Sequence, residues 1–302
     1  MTNSVQLSPR DRSLLQLLSW TPVTTMLLLK ASSTFAGGSF TDERRLRERL
    51  QTLERVGLVR HWSTATIGGG LQNYYKLTPA GYQVLYGIDA TPPPRSFFVE
   101  IAPSFLAHTL KLAEVIVATN RAAHEGHIEI LGFHRENELA FVVGDAQVQP
   151  DCFYRLSIGG RNFNVAFEID QSTETVDSLR DAALRHRLGL YDAYQEQLLQ
   201  SWLAAGRTWE RPRFRVVFLT VSIQRAYHIL ATMAQVTQRP ARRLVYAAVQ
   251  ESYLGSQTPL SDPLLLDHSG HWQALVELHP TSRPLRSPIR LPHAIQAPQP
   301  GW

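Results

Sequence analysis

One segment, residues 146–170, constrains the fold more than any other part of the sequence. Apolar and polar residues alternate with a period of two on both sides of Gly159-Gly160, a pair that supplies the positive φ angles of a two-residue turn. The pattern predicts a β-hairpin whose first strand starts at Ala146 and whose second strand ends at Asp170. The predicted cross-strand pairs are Ile158 with Arg161, Leu156 with Phe163, Tyr154 with Val165 and Cys152 with Phe167.

The same register sets two carboxylates opposite each other. Asp151 faces Glu168 across the predicted hairpin, and Asp170 lies two residues further along the same face. Cross-strand partners have Cβ atoms about 5 Å apart, and like charges at that distance destabilise a sheet. Two interpretations are open: the face is solvated and the carboxylates tolerate one another, or the carboxylates bind a cation.

The local sequence favours a cation because it resembles the core of the PD-(D/E)XK nucleases. Pro150-Asp151 and then Glu168-Ile169-Asp170 resemble the segments in which an Asp and a Glu hold Mg²⁺ for phosphodiester hydrolysis. The order of elements agrees, with an amphipathic stretch over 105–123, the hairpin, a helix-like stretch over 176–203 and an apolar strand over 214–221. The resemblance implies an α/β domain with a mixed sheet and a Mg²⁺ site at Asp151, Glu168 and Asp170.

The chain departs from that pattern at the lysine that normally follows the Glu by two residues, where it has Asp170. The whole sequence contains three lysines, Lys30, Lys76 and Lys111. Within the resemblance the missing cation is Lys111, Arg187 or none, and Glu114 is the extra carboxylate expected on the preceding helix. Arginine can stabilise negative charge but cannot act as a base, because its pKa is too high. The candidate catalytic residues are Asp151, Glu168, Asp170, Glu114, Lys111 and Arg187.

A narrower resemblance spans about residues 1–250. The segment Glu168-Ile-Asp-Gln-Ser-Thr-Glu174 and the later Arg187-Leu-Gly-Leu-Tyr191 are similar to segments of the replication-relaxation family of plasmid and mobile-element proteins. Family members have Gly where this chain has Ser172, and Lys where it has Arg187. The resemblance implies a role in plasmid or mobile-element replication, mobilisation or recombination.

The amino-terminal segment has the pattern of a winged helix-turn-helix. Ser8-Pro9 opens a first helix that ends at Trp20, and Thr21-Pro22 opens a second that runs to about Lys30. Thr41 is the predicted cap of a third helix that ends at Gly57. Two short strands around a Gly-rich tip at 68–70 then predict the wing.

The third helix is the predicted DNA-reading element. Leu46, Leu50 and Leu53 form its inward stripe at about 100° per residue, and arginines face outward. A winged helix inserts this face into the major groove of duplex DNA. The alternatives are a solvated charged face or a winged helix that binds protein. The predicted DNA-binding residues are Arg44, Arg45, Arg47, Gln51, Arg55, Arg60 and Lys76.

Composition limits the remaining classes. The net charge of +4 and the pI of about 9.3 agree with a polyanionic partner. Cys152 is the single cysteine, which excludes an intramolecular disulfide and a cysteine-based zinc cluster. The first residues are polar, and the longest apolar run, 26–29, is too short to span a bilayer. We therefore expect a cytoplasmic protein with no membrane partner.

These observations predict four segments. They are a winged-helix domain over 1–90, a Pro-rich linker over 91–96, an α/β domain over 97–255 and a Pro-rich extension over 256–302. The predicted protein binds double-stranded DNA and, in a replication or mobilisation complex, a protein partner. Its nuclease-like domain is impaired or has lost catalysis. The alternative is an active Mg²⁺-dependent endonuclease, a nickase targeted by the winged helix.

Overall fold

The computed structural model describes residues 6–65, 69–171, 178–207 and 212–276. Contacts between residues divide the chain into two compact units, Met1–His124 and Glu125–Trp302. Within the described ranges, no helix has both the length and the apolar character needed to cross a membrane.

The first unit contains the winged helix-turn-helix that the sequence predicts. Its elements are α1 (Pro9–Trp20), β1 (Val23–Thr24), α2 (Thr25–Ala31), α3 (Glu43–Arg55), β2 (Val59–Ala65), β3 (Leu71–Leu77) and α4 (Pro79–Tyr86). The three strands form an antiparallel sheet in the order β1-β3-β2, with β2 and β3 as the wing. The inward stripe of α3, Leu46, Leu50 and Leu53, is fully buried as predicted.

Side-chain caps decide where these helices begin. Ser8 caps α1 in a capping box, since its hydroxyl accepts the N–H of Asp11 and the Asp11 carboxylate accepts the N–H of Ser8. The predicted cap of α3 is wrong by one residue, because Asp42 rather than Thr41 accepts the N–H of Arg45 at 2.9 Å.

The segment after α4 is fastened to the wing. Lys76 is buried, and its ammonium group donates to the carbonyls of Val99 at 2.6 Å and Ser96 at 3.3 Å. The hydroxyl of Tyr74 accepts the N–H of Ile101. The next helix, α5 (Pro103–Glu125), falls in the first unit apart from its last residue. The two units therefore divide at 124/125 rather than at the predicted linker over 91–96.

The second unit is built on a seven-stranded mixed sheet. Its elements are β4 (Glu129–Arg135), β5 (Phe141–Val143), β6 (Ala146–Val148), β7 (Cys152–Ile158), β8 (Arg161–Asp170), α6 (Ser178–Ala204), β9 (Arg215–Thr220), α7 (Ile223–Val236), β10 (Val245–Val249), α8 (Gln250–Gly255), β11 (Leu265–Asp267) and β12 (Trp272–Gln273). The strand order is β12-β11-β10-β9-β8-β7-β4. Strands β8, β9 and β10 run parallel, and the other neighbours are antiparallel. The α/β class with a mixed sheet is as predicted.

The register of the predicted hairpin is confirmed. Gly159 and Gly160 have φ angles of 54° and 74°, and all four predicted cross-strand pairs occur between β7 and β8. The prediction of one continuous first strand from Ala146 is wrong. Residues 146–148 form β6, which pairs with β5, and β7 starts only at Cys152. Pro150 lies at the break, because it has no N–H to donate to a ladder.

The carboxyl-terminal boundary also differs from the prediction. Residues 256–276 are part of the second unit rather than of a Pro-rich extension, because β11 and β12 extend the sheet beyond β10. Leu265 and Leu266 are fully buried in that edge. Residues 277–302, which include most of the predicted extension, lie outside the described residues.

The hairpin face that carries the acidic residues is buried under α6 and α7. Phe153 and Ala166 from this face join one apolar cluster with Tyr191 of α6 and Met233 of α7. Glu168 lies beside this cluster and is 2% exposed. The interpretation of a solvated acidic face is therefore wrong for Glu168.

Candidate functional site

The outward face of α3 presents basic side chains to solvent. The side chains of Arg44 and Arg47 are 78% and 61% exposed, and Arg45, Gln51 and Arg55 are exposed as well. Arg44 pairs with Glu48 at 3.8 Å, and Arg47 with Glu43 at 2.5 Å, each one helical turn apart. Exposed pairs of this kind contribute about 0.3–0.5 kcal/mol. The guanidinium groups can therefore exchange these carboxylates for phosphates at small cost.

Arg49 has a different role on the same helix, and the sequence patterns did not single it out. Its guanidinium group holds the carboxylate of Asp11 through two hydrogen bonds, of 2.7 and 2.6 Å, and so fastens α3 to α1. Burial raises the pKa of Asp11, but the hydrogen bonds from Arg49 and Ser8 outweigh that effect and leave the pKa below its usual value of 3.8. This pair orients α3 rather than contacting a ligand.

Two predicted residues of the wing have different surroundings. Arg60 is exposed, and its guanidinium carbon lies 5.2 Å from the ring centre of Trp62. Lys76 is removed from the predicted DNA surface, because it is buried and its ammonium group donates to the carbonyls of Ser96 and Val99. A lysine at a strand end looks the same in sequence whether it is exposed or buried.

Glu168 is held by two side chains of α6. Its Oε2 accepts a hydrogen bond from Arg187 at 2.8 Å, and its Oε1 accepts one from the hydroxyl of Tyr191. Arg187 and Tyr191 lie one turn apart on α6, so both side chains leave the helix on the side that faces Glu168. Sequence reasoning offered Arg187 as a substitute for the missing lysine, and the structure brings it into direct contact with Glu168.

Asp170 is held by Arg225, which sequence reasoning missed. Asp170 lies beside Thr220 in the parallel ladder, and Ser222 then caps α7. The first turn of α7 therefore carries Arg225 back over the end of β8, where its Nε donates to Asp170 Oδ2 at 2.7 Å. Fifty-five positions separate these two residues in the sequence, so no local spacing could have connected them.

Asp151 is bound to β8 on both sides of Glu168. Its N–H donates to the carbonyl of Phe167 at 3.0 Å, and its Oδ2 accepts the N–H of Ile169 at 2.6 Å. The side chain thus replaces a ladder partner at the break before β7. A carboxylate oxygen of Glu136, in the turn after β4, lies within 4.8 Å of one of Asp151. The juxtaposition of Asp151 and Glu168 agrees with the predicted register.

Glu168 and Asp170, with their arginine partners, border a cleft of about 360 Å³. Its lining includes Glu168 and Asp170, Arg187 and Arg225, and the apolar side chains of Leu184 and Phe218. Partial burial lowers the pKa of Arg187, but the charges of Glu168, Asp151 and Asp170 more than offset this and raise the pKa above its usual value. Each of the two carboxylates in the lining therefore has its own guanidinium partner.

Tyr191 is a positioning residue for Glu168. Burial, followed by the charge and the hydrogen bond of Glu168, raises its pKa far above the usual value, so the hydroxyl stays protonated. The side chain has no exposed surface and cannot reach a phosphodiester as a nucleophile. Its hydroxyl fixes one oxygen of Glu168 instead.

The three predicted metal ligands are of the chemical type that Mg²⁺ prefers, but the positive charges around them oppose its binding. Mg²⁺ prefers carboxylate oxygens, which Asp151, Glu168 and Asp170 supply. Both oxygens of Glu168 and one of Asp170 already accept hydrogen bonds from Arg187, Tyr191 or Arg225. A metal ion here competes with two guanidinium groups, whose positive charges oppose its binding. The metal role of the three carboxylates stays a prediction.

The other predicted residues are placed as follows. Lys111 and Glu114 lie on α5, in the first unit, and form an ion pair of 3.0 Å with each other. Their catalytic roles stay predictions. Ser172 and Glu174, which carry part of the family-like motif, lie outside the described residues.

A winged helix-turn-helix followed by a domain with a seven-stranded mixed sheet defines the architectural class. The model of the replication-relaxation family matches residues 15–204. The chain belongs to the replication-relaxation family. This identification confirms the resemblance found at the carboxylate motif.

Comparison with curated proteins finds no match. Two solved structures are similar at low identity. Bacillus subtilis PadR in complex with operator DNA matches at 15% identity and a TM-score of 0.24, over 39% of this chain and 69% of that chain. Restriction endonuclease FokI matches at 10% identity and a TM-score of 0.29, over 84% of this chain. The match spans 45% of the FokI chain.

Proposed function

We propose that this protein binds duplex DNA through α3 and the wing, in the cytoplasm, as a component of plasmid or mobile-element replication, mobilisation or recombination. Its nuclease-like unit is impaired or has lost catalysis in this proposal and serves to bind DNA or a protein partner. The observation that carries the proposal is that the arginines of α3 and those of the carboxylate cleft have different surroundings. The outward arginines of α3, which are Arg44, Arg45, Arg47 and Arg55, are exposed, and within the described residues none of them pairs with a buried carboxylate. Arg187 and Arg225 instead neutralise the carboxylates of the cleft.

The DNA-binding part rests on the solvent-exposed basic face of α3. Arg44, Arg45, Arg47 and Arg55 project from one helix whose opposite side is fully buried. Guanidinium groups bind phosphates and guanine edges in a two-point geometry, so such a face fits a major groove. The carboxylates of Glu43 and Glu48 are weakly held competitors that a phosphate can displace.

The test is a double variant in which Arg44 and Arg47 are changed to Ala. Each phosphate contact contributes about 0.9 to the slope of log affinity against log salt. Duplex affinity should fall, and the slope should flatten by about two units. The matched control changes Arg185 and Arg239, two exposed arginines of the second unit, and should leave both quantities unchanged. Unaltered binding in the first variant would remove α3 as the DNA-reading element.

The impaired catalysis is supported by the ion pairs of the cleft. A nuclease of the type that this chain resembles keeps a positive group beside its Glu to stabilise the transition state. Here Arg187 is bound to Glu168, and Asp170 brings a negative charge to the lysine position that Arg225 only neutralises. The two arginines therefore neutralise carboxylates of the protein itself, and neither is directed at a substrate.

The second candidate function, a Mg²⁺-dependent endonuclease, is favoured by one observation. Asp151 and Glu168 remain juxtaposed at the end of β8, as metal-dependent cleavage requires. Such a metal would polarise the phosphodiester and lower the pKa of a bound water. The residues Asp151 and Glu168 would hold it, and Arg187 would orient Glu168.

One pair of measurements separates the candidates. Mn²⁺ titrated into the protein and followed by electron paramagnetic resonance should show binding that is lost in Asp151→Ala and Glu168→Ala. Supercoiled plasmid incubated with Mg²⁺ or Mn²⁺ should be nicked slowly or not at all. Rapid nicking that Asp151→Ala abolishes would establish the endonuclease instead. Absence of any divalent-cation binding would reject the metal site in both candidates.

A further inference from the structure

A second cleft lies at the other end of β8 from the carboxylates. Its volume is about 320 Å³. The arginines that border it are Arg161 and Arg215, the first residues of β8 and β9, and Arg213, two residues before β9. The remaining lining residues are Asn162, Phe163, Asn164, Pro212 and Phe214. Three guanidinium groups and two amides therefore converge on one concave surface.

The arginines of this basic cleft are positioned by aromatic rings. The guanidinium carbon of Arg215 lies 5.6 Å from the ring centres of both Phe163 and Tyr246, and one of its nitrogens donates to the carbonyl of Leu275. Arg161 lies 5.5 Å from the ring of the same Phe163. Stacking of this kind holds a guanidinium plane while leaving its edge able to donate hydrogen bonds.

A hydrogen bond also holds the segment that leads into β9 beside β8. The amide of Asn164 donates to the carbonyl of Arg213 at 3.0 Å. This bond fixes the backbone of Arg213 across the cleft from Arg161, and both side chains are exposed. The basic cleft is therefore built from β8 and β9, whose parallel pairing sets its width.

The basic cleft differs from the carboxylate cleft in its charge balance. Among the residues that the structure describes, no Asp or Glu forms an ion pair with Arg161, Arg213 or Arg215. Like charges gathered in a cleft repel one another, and an anion that enters relieves that repulsion. Planar guanidinium groups match the oxygens of a phosphate.

We propose that this basic cleft binds the phosphodiester backbone of duplex DNA, as a contact site separate from α3. We take duplex DNA rather than a small anion as the occupant because the exposed arginines of α3 already suit a duplex, and the basic cleft offers guanidinium groups to the same phosphates.

This inference rests on the proposed DNA-binding function, and the experiment separates the two. Arg161 and Arg213 are changed to Ala in the full chain, alone and together with the Arg44 and Arg47 changes. The cleft variant should reduce duplex affinity about tenfold or more and flatten the salt slope by about two units. The combined variant should flatten it by about four. The Arg185 and Arg239 control removes the same charge elsewhere and should have no effect.

The possible outcomes differ for the two proposals. A loss of binding in the α3 variant with no change in the cleft variant overturns the basic cleft as a DNA site and leaves the proposed function intact. A loss only in the cleft variant supports the basic cleft and removes α3. No loss in either variant rejects both.

A direct probe uses the single cysteine. Cys152 is fully buried, so a cysteine introduced at the exposed Asn162 can be labelled selectively with a fluorophore. Saturating duplex should change the emission of this label but not that of a label at Val142→Cys, an exposed position on β5. A response to inorganic phosphate without a response to duplex would overturn the DNA assignment in favour of a small anion.

Discussion

The face of α3 and the carboxylate cleft use the same ion-pair chemistry with opposite consequences. On α3 the arginines are mostly exposed and their glutamate partners lie one turn away on the same helix. In the cleft, Glu168 is 2% exposed and the side chain of Asp170 is 13% exposed, and their arginine partners come from different helices. Arg187 itself is 47% exposed, so the burial of its carboxylate partner, rather than its own exposure, commits this arginine to the fold.

The same comparison, of α3 with the carboxylate cleft, bears on Asp170, which stands where the nuclease pattern has a lysine. A lysine at position 170 would place a positive charge directly beside Glu168. The chain has a carboxylate there, and Arg225 returns the charge from α7. Charge in the cleft is balanced but bound internally, whereas the charge of α3 is directed outward.

The largest expected effect comes from breaking the buried pair. Glu168→Ala should lower the free energy of unfolding by about 3 kcal/mol, because it leaves Arg187 unpaired and the buried hydroxyl of Tyr191 without its acceptor. Urea denaturation measures this value. Glu168→Gln keeps an acceptor of the same shape and should cost less. A loss below about 0.5 kcal/mol in Glu168→Ala would show that burial does not distinguish the two regions.

A second prediction tests an ion pair of intermediate burial. Asp11→Asn should lower the free energy of unfolding by about 2 kcal/mol at pH 7, because Arg49 loses its charged partner. The folded-state pKa of Asp11 is lowered from 3.8, so this contribution is complete above that value and lost as the pH falls through the folded pKa. Unfolding of both proteins between pH 7 and pH 3 measures it. A difference that begins to shrink well above pH 3.8 would contradict the assigned direction of the pKa shift.

The third prediction concerns competition between arginine and metal. Arg225→Gln removes one positive charge from the cleft and should raise Mn²⁺ affinity at least about tenfold, about 1.4 kcal/mol, because a divalent cation no longer meets that charge. Titration followed by electron paramagnetic resonance gives the affinity. Arg239→Gln, on an arginine outside the cleft, is the control. Weaker binding in Arg225→Gln would mean that Arg225 orders Asp170 for the metal.

The smallest effect is expected on α3. Glu43→Ala should change the free energy of unfolding by less than about 0.5 kcal/mol, since its pair with Arg47 is exposed. The same change should raise duplex affinity a few-fold, because Arg47 is released and a negative charge is removed from the DNA-facing side. Fluorescence anisotropy at two salt concentrations measures the gain. A fall in affinity would indicate that Glu43 orients Arg47 for binding.

The features that depend on residues close together in the sequence were predicted correctly from local sequence patterns. The hairpin register followed from alternation and the Gly159-Gly160 turn, and the winged helix followed from the Ser8 cap and the Leu46, Leu50 and Leu53 stripe. The break at Pro150 was missed, although proline carried the signal, because alternation continues across it.

Contacts between distant segments could not be predicted in the same way. Arg225 reaches Asp170 only because β8 and β9 are parallel and α7 starts at the end of β9. Lys76 is buried by residues that follow a proline-rich segment read as a linker. The carboxylates themselves were identified from sequence, whereas the groups that neutralise them depend on tertiary structure.

The position of β8 inside the sheet, between β7 and β9, has a consequence for synthesis of the chain. Its hairpin partner β7 precedes it, but its parallel partner β9 begins only at Arg215, after all of α6 has been made. At about 5–20 residues per second, a ribosome leaves the apolar edge of β8 unpaired for seconds. An unpaired edge of this kind can associate with other strands. A chain cut short between β8 and β9 should therefore aggregate, whereas one that extends through β10 can close its sheet.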